Sequence, residues 1–251
     1  MARSGIIIQA RTGSTRLPNK MLLPFYEEKG IFEIILKRLK SSSISIPIIV
    51  ATTSNKADQQ LVEITKEYGF EHYIGDEENV LNRFIETAAH FKIDNIIRLC
   101  ADNPFIDIDA LHHQLENFES NCDYWCYSTN NFTPTIKTGF GFWTELVTLD
   151  ALKKVASLTN DSLYKEHVTN YIYTHPANFN IHFEKIDQSV ESVSDLRLTV
   201  DTRNDFDLLK EIYETLLSKN INFTASKISK LVNENPQWLS VMKAETLKNI
   251  K

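Results

Sequence analysis

The sequence predicts an α/β fold, a mostly parallel, mixed sheet flanked by helices on both faces. Three observations carry that prediction. Short apolar runs rich in β-branched residues recur at Ile6 to Ile8, Ile48 to Ala51, His72 to Ile74 and Asn95 to Cys100, and such runs bounded by polar residues read as buried strands. Stretches with a single apolar stripe at helical spacing lie between them. Strand and helix therefore alternate, the pattern of a parallel sheet covered on both sides.

The elements follow in order. Ile31 to Lys40 is apolar at positions 31, 32, 35, 36 and 39 and basic in its last turn, which suits a helix and its dipole. Asp58 to Tyr68 predicts a second helix, closed by Gly69. Val80, Leu81, Phe84, Ile85 and Ala88 put one stripe on a third. A further helix opens after Pro104, with Asp109 as its cap. From Cys122 the rhythm changes. Asp123 to Ser128 reads as a strand, Asn130 and Asn131 as a turn, and 137–146 as a glycine- and aromatic-rich segment. Ser162 to Thr174 reads as a helix and Asn178 to Lys185 as a strand. Arg197 to Val200 rejoins the core as a strand, and helices fill much of 204–248. The chain reads as one domain over 1–251, with 122–195 an inserted subregion.

Composition sets bounds on function. A net charge of −6 excludes nucleic acid as the main partner, because binding a phosphate backbone needs a basic surface. It leaves room for a nucleotide, which needs only a local basic pocket. No apolar run approaches a membrane span, and the N-terminal run stops at Ile8 with Arg11 following, so neither a membrane nor a secretory route is expected. The expected location is the cytoplasm. Cys100, Cys122 and Cys126 are odd in number and lack a second ligand pair, so they read as buried thiols rather than a zinc site.

The first strand runs into a loop holding Arg11, Arg16 and Lys20, with Gly13, Ser14 and Thr15 between them. Glycine lets backbone N–H groups approach an anion, hydroxyls add donors, and the cations supply charge-assisted hydrogen bonds to phosphate. A loop of this kind after the first strand is where α/β folds hold nucleotides. No Gly-Lys-Ser/Thr follows Gly13, and the one Gly-x-Gly, at Gly139 and Gly141, is far from the first strand, so neither a P-loop nor a dinucleotide fingerprint explains it.

The run from Gln9 to Lys20, QARTGSTRLPNK, resembles the signature loop of the sugar-activating cytidylyltransferases, most closely the SpsF-like branch, whose pattern is roughly QARMGSTRLPGK. The departures are Thr12 and Asn19. Further stretches are similar in the same order. Ala101-Asp102-Asn103-Pro104 resembles the family's G-D-x-P, preceded by a fitting Arg98. Val200-Asp201-Thr202 with Asp205 resembles its V-D-T-x-x-D. Residues 75–84 resemble its G-x-x-x-D-V-L-D-R-F, with Asn79 and Asn82 where the family has aspartate. Gly141 to Glu145 resembles G-L-D-V-E, with Trp143 in place of aspartate, and Lys165 to Thr169 resembles R-E-H-V-T.

The resemblance implies a Rossmann-like, GT-A-type nucleotidyltransferase fold. It implies transfer of CMP from CTP to a hydroxyl of a sugar or sugar acid, with release of pyrophosphate. Arg11, Arg16 and Lys20 would act on the triphosphate's charge as the catalytic set. Gln9, Ala10, Gly13, Ser14 and Thr15 would join Arg11 and Lys20 in holding the nucleotide, with Arg83 and Arg98 beyond the loop. Asp102 and Asp201 each end an apolar run, and aspartate oxygens are hard ligands suited to Mg²⁺, with Mn²⁺ the alternative. Glu145 and His167 would meet the acceptor. The resemblance also implies a homodimer. Tyr124, Trp125, Tyr127, Phe132, Phe140, Phe142 and Trp143 offer an aromatic interface, or equally a core. Two rivals stand beside this reading: a glycosyltransferase using Asp107-Ile108-Asp109 for metal and sugar nucleotide, and a non-catalytic nucleotide-binding protein.

Overall fold

The structure, a computed structural model, describes residues 2–119 and 121–249. Strands β1 (Ser4–Gln9), β2 (Ile48–Thr53), β3 (Glu71–Gly75), β4 (Asn95–Cys100), β5 (Tyr124–Ser128), β6 (Glu145–Thr148) and β7 (Ile181–Lys185) form one sheet in the order β3-β2-β1-β4-β6-β5-β7. The first four run parallel. β6 is antiparallel to β4 and β5, and β7 runs parallel to β5 at the edge. The order turns outward from β1 through β2 to β3, then restarts on its other side at β4. The crevice beyond the carboxyl ends of β1 and β4, where Gln9 pairs with Cys100, is thus the switch point at which open α/β sheets bind ligands.

Alternation along β1 builds both faces. Ile6 and Ile8 join a core shared with helices α1 (Ile31–Lys40), α2 (Gln59–Glu67), α4 (Ile108–Asn117), α9 (Arg203–Ser218) and α10 (Ala225–Asn233), whereas Ile7 joins a second core with α3 (Val80–Phe91) and α5 (Leu149–Leu158). The remaining helices are α6 (Ser162–Glu166), α7 (Asn170–Thr174), α8 (Gln188–Glu191) and α11 (Pro236–Asn249). Among the described residues, no helix is long and apolar enough to cross a membrane.

Four expectations change. The segment Arg197 to Val200 is extended but joins no ladder; its one backbone bond to the neighbouring run is Leu198 N–H to the Gly139 carbonyl, 2.6 Å. Gly141 makes this approach feasible. It sits at φ +68°, and a Cβ there would lie 2.8 Å from the Leu198 carbonyl oxygen. The helix expected over 162–174 splits into α6 and α7, because Val168 and Thr169 turn inward to full burial and His167 leaves helical dihedrals. Tertiary packing here overrides local propensity. The cap of α4 is Asp107, which accepts from Ala110 N–H at 3.0 Å, rather than Asp109. The aromatics offered as an interface are mostly the chain's own core: Tyr124, Trp125, Tyr127, Phe140 and Phe142 are buried, and Phe132 is exposed.

Candidate active site

The loop after β1 is anchored before it reaches the crevice. Asp58, 2% exposed, accepts from Thr12 N–H at 2.7 Å, Thr12 Oγ at 2.6 Å and Thr53 Oγ at 2.5 Å. The departure at Thr12 is therefore a hydrogen-bonded pin onto β2. Asn19 sits at φ +56°, which accounts for glycine in the related pattern; asparagine is the side chain that best tolerates that region. Neither Asp58 nor its pairing was visible in the sequence, where it read only as a helix start. We expect Asp58→Ala to cost about 2 kcal/mol of unfolding free energy, since it strands one buried N–H and two hydroxyls; denaturant melts check this.

Two of the loop cations, Lys20 and Arg16, converge with Asp102, which follows β4, and Asp201, which follows the unpaired run 197–200. Lys20 Nζ lies 2.8 Å from Asp102 Oδ2, 2.6 Å from the Val200 carbonyl oxygen and 3.9 Å from Asp201 Oδ1. Arg16 Nη2 reaches Asp201 Oδ1 at 2.7 Å. Arg197, which sequence reasoning missed, donates to Asp201 Oδ2 at 2.8 Å and to both Asp205 oxygens at 2.9 and 3.2 Å. Burial works against its charge, but the Asp205 and Asp201 carboxylates outweigh that and raise its pKa. Asp205 also closes a capping box with Thr202 at the start of α9, as its helix-terminal position predicts. Asp201 is thus aimed by a fixed guanidinium on one side and capped backbone on the other.

Other expected site residues lie elsewhere. Arg11 pairs with Glu166 of α6 at 3.6 Å. Gly13 and Thr15 are exposed and Ser14 half-buried, with open space around Gly13. Ala10 is fully buried, and its N–H donates to the Ala51 carbonyl at 3.2 Å. Gln9, Arg98 and Glu145 form a chain: Arg98 donates to Gln9 Oε1 at 3.0 Å and to Glu145 at 2.5 Å, and Glu145 also accepts from Tyr124 and from Thr169 at 2.8 Å. Glu145 is 2% exposed and saturated by these donors, so the structure does not bring it to the crevice. Arg83 is fully buried. Its Nη1 donates to the Asp76 carbonyl at 2.5 Å, while Nε and Nη2 have no hydrogen-bond partner. Burial, then the nearby Arg11, lowers its pKa to about 10. Gly75 makes room for its stem, since a Cβ there would stand 2.8 Å from Arg83 Cγ. Asn79 caps α3 and Asn82 bonds Glu86 at 2.9 Å, so both departures from aspartate have local structural roles.

A cavity of about 770 Å³ opens beside the charge cluster, lined by Asp102, Asp201, His167, Trp143, Lys137 and Arg197 among others. Cys100 also lines it, its thiol pushed up to about 11 chiefly by burial. No group of three or more His, Cys, Asp or Glu among the described residues forms a ready metal cage. The donor set is two carboxylates facing a site with room for water and phosphate, which is how Mg²⁺ is commonly held beside triphosphates. Asp107 is buried, holding Ala110 and, at 2.7 Å, Ala225 N–H, and Asp109 is exposed on α4, so the Asp-x-Asp of the glycosyltransferase rival has a structural use.

The whole chain has counterparts among known proteins. Over 232 residues the chain is 37% identical to an uncharacterized protein of Methanocaldococcus jannaschii, covering 92% of this chain and 90% of that one. It is 31% identical over 245 residues to the spore coat polysaccharide biosynthesis protein SpsF of Bacillus subtilis, covering 95% and 98%. A solved cytidylyltransferase of Leptospira borgpetersenii superposes with a TM-score of 0.83 at 29% identity, over 95% of this chain and 97% of that one. Residues 5–233 match the family described as Cytidylyltransferase; this chain belongs to that family, and its chemistry is nucleotidyl transfer.

Proposed function

We propose that the chain transfers CMP from CTP to a hydroxyl of a sugar or sugar acid, releasing pyrophosphate, in the making of a glycan precursor. The observation that carries this is Lys20 bridging Asp102 and the Val200 carbonyl beside Asp201, at the switch point of the sheet. The acceptor oxygen forms its bond to the α-phosphorus while the bond to pyrophosphate breaks. Negative charge builds on the leaving oxygens, and Lys20, Arg16 and Arg11 are the groups that meet it. Asp102 and Asp201 would hold a divalent cation, Mg²⁺ or Mn²⁺, which when bound supplies further neutralisation of the phosphates. Arg197 keeps Asp201 aimed, and open backbone around Gly13 leaves N–H donors for phosphate. Arg83, fully buried with Nε and Nη2 unpartnered, would contribute its charge to the nucleotide from beneath the site rather than by contact.

The test is product identity. Pyrophosphate released from CTP, across four nucleoside triphosphates and a broad set of sugars and sugar acids, supports the reading. Release of a nucleoside diphosphate from a sugar nucleotide establishes glycosyl transfer instead. The local structural roles of Asn79, which caps α3, and Asn82, which bonds Glu86, remove one reason to favour a non-catalytic protein; tight CTP binding without turnover over the whole set would restore it.

The proposal includes a homodimer and a cytoplasmic location. Exposed Phe132, packed on Phe183 of the edge strand β7, offers an apolar contact point. We expect a dimer by light scattering at micromolar concentration; a monomer with full activity overturns it. The thiols Cys100, Cys122 and Cys126 are all free, as suits a reducing compartment.

A further inference from the structure

The cavity's charge pairing singles out one side chain. Of the four carboxylates lining it, Asp102 is held by Lys20, Asp201 by Arg16 and Arg197, Glu191 by Asn130 and Asp195 by Lys243 at 3.7 Å. Arg197 is spent on aspartates. Among the described residues Lys137 lines the cavity with no carboxylate partner; its Nζ rests 5.9 Å from the Tyr173 ring centre. It is nonetheless well placed, because its turn is pinned at both ends. Thr138 N–H and Oγ close on the Thr135 carbonyl at 3.0 and 2.6 Å, and the Gly139 carbonyl accepts from Leu198.

Trp143 lines the same cavity. Its ring is wedged by Phe140 at 86°, Phe142 at 73° and Tyr127 at 32°, with centroids 5.3 to 5.8 Å away, so its rotamer is fixed by packing. The related pattern has aspartate here, which would add a fifth carboxylate to the cavity; tryptophan removes that charge and adds a flat apolar surface. Aromatic surfaces receive the C–H face of a sugar ring, and the hydroxyls of Thr138, Ser194 and Thr199 in the same wall supply partners for its O–H groups.

Resting on the proposed reaction, we infer that Trp143 and Lys137 are the acceptor-selecting pair: Trp143 is the platform for an apolar ring face, and Lys137 receives an anionic substituent of the same molecule. Neither touches the charge cluster, so each acts on acceptor affinity and leaves the nucleotide alone.

The experiment uses 2-keto-3-deoxy sugar acids of six, eight and nine carbons, each as free acid and as neutral methyl ester, with pyrophosphate release from CTP as the readout and CTP binding measured by calorimetry. For the wild-type protein the ester's KM should exceed the acid's by at least about tenfold, the worth of one charge-assisted contact. Lys137→Gln should bring acid and ester to the same KM, and Lys137→Arg should restore the preference. Trp143→Leu should raise both KM values together, with Trp143→Phe recovering most of the loss. CTP affinity should be unchanged in all four. An acid-to-ester ratio that survives Lys137→Gln overturns the assignment, as does wild-type use of neutral sugars with none of the acids. Failure of CTP itself to bind defeats the underlying reaction instead.

Discussion

Lys20→Ala lowers kcat about a hundredfold, close to 3 kcal/mol, the usual cost of losing one preorganised charge contact to a transition state. The expectation rests on where Lys20 stands. Its side chain is 13% exposed, and its ammonium touches Asp102, the Val200 carbonyl and, more loosely, Asp201. A bound triphosphate would find this charge already positioned, with little solvent to rearrange. The fold should survive, because Asp102 and Asp201 stay partly open to water at 33% and 25% of their side-chain surface. Single-turnover kinetics on a protein with an unchanged melting temperature make the measurement. An unaltered kcat removes Lys20 from the mechanism. A large loss of melting temperature assigns it to structure.

Much of this site was legible because it is local in sequence. The loop from Gln9 to Lys20 holds its cations within a dozen residues, and Asp102 and Asp201 each follow an apolar run that had to be buried. The carboxyl end of a strand is where side chains leave a sheet for the ligand crevice, which made Asp102 after β4 readable without a structure; Asp201 was read the same way although its run pairs with no strand. What escaped reading was pairing across the chain. Asp58 lies 46 residues from Thr12 in sequence and meets it only because β1 and β2 are neighbours. Glu145 read as a contact to the acceptor's hydroxyls. In the structure Arg98 sits opposite it in the antiparallel register of β4 and β6 and pairs with it, a pairing that no local pattern announces. Arg197 was hidden inside a run read as a strand. The aromatics of 124–143 were ambiguous for a physical reason: a core and an interface demand the same residues.

The second large effect concerns binding. In the structure both aspartates are already engaged by cations of the chain: Asp102 by Lys20, Asp201 by Arg16 and Arg197. A divalent cation binding alone must compete with these ammonium and guanidinium groups. CTP binding alone must draw Lys20 and Arg16 away and leave carboxylates facing phosphates. Were both bound, the aspartates would be free to hold the cation and Lys20 and Arg16 to meet the triphosphate, and neither cost would remain. Cation and nucleotide should therefore tighten each other by a coupling of about 1–3 kcal/mol, roughly 5- to 150-fold, and linkage makes the factor the same in both directions. Calorimetric titration of CTP with and without Mg²⁺, and Mn²⁺ titration followed by electron paramagnetic resonance with and without a nonhydrolysable CTP analogue, measure both sides of the cycle. Free Mg²⁺–CTP association is subtracted using the protein-free constant. Asp102→Asn and Asp201→Asn should each pull the coupling toward unity and cut turnover, and Lys20→Ala should strengthen cation binding in the absence of nucleotide. Full activity in excess EDTA, or a coupling untouched by both aspartate substitutions, would show that these carboxylates serve only to hold the loop.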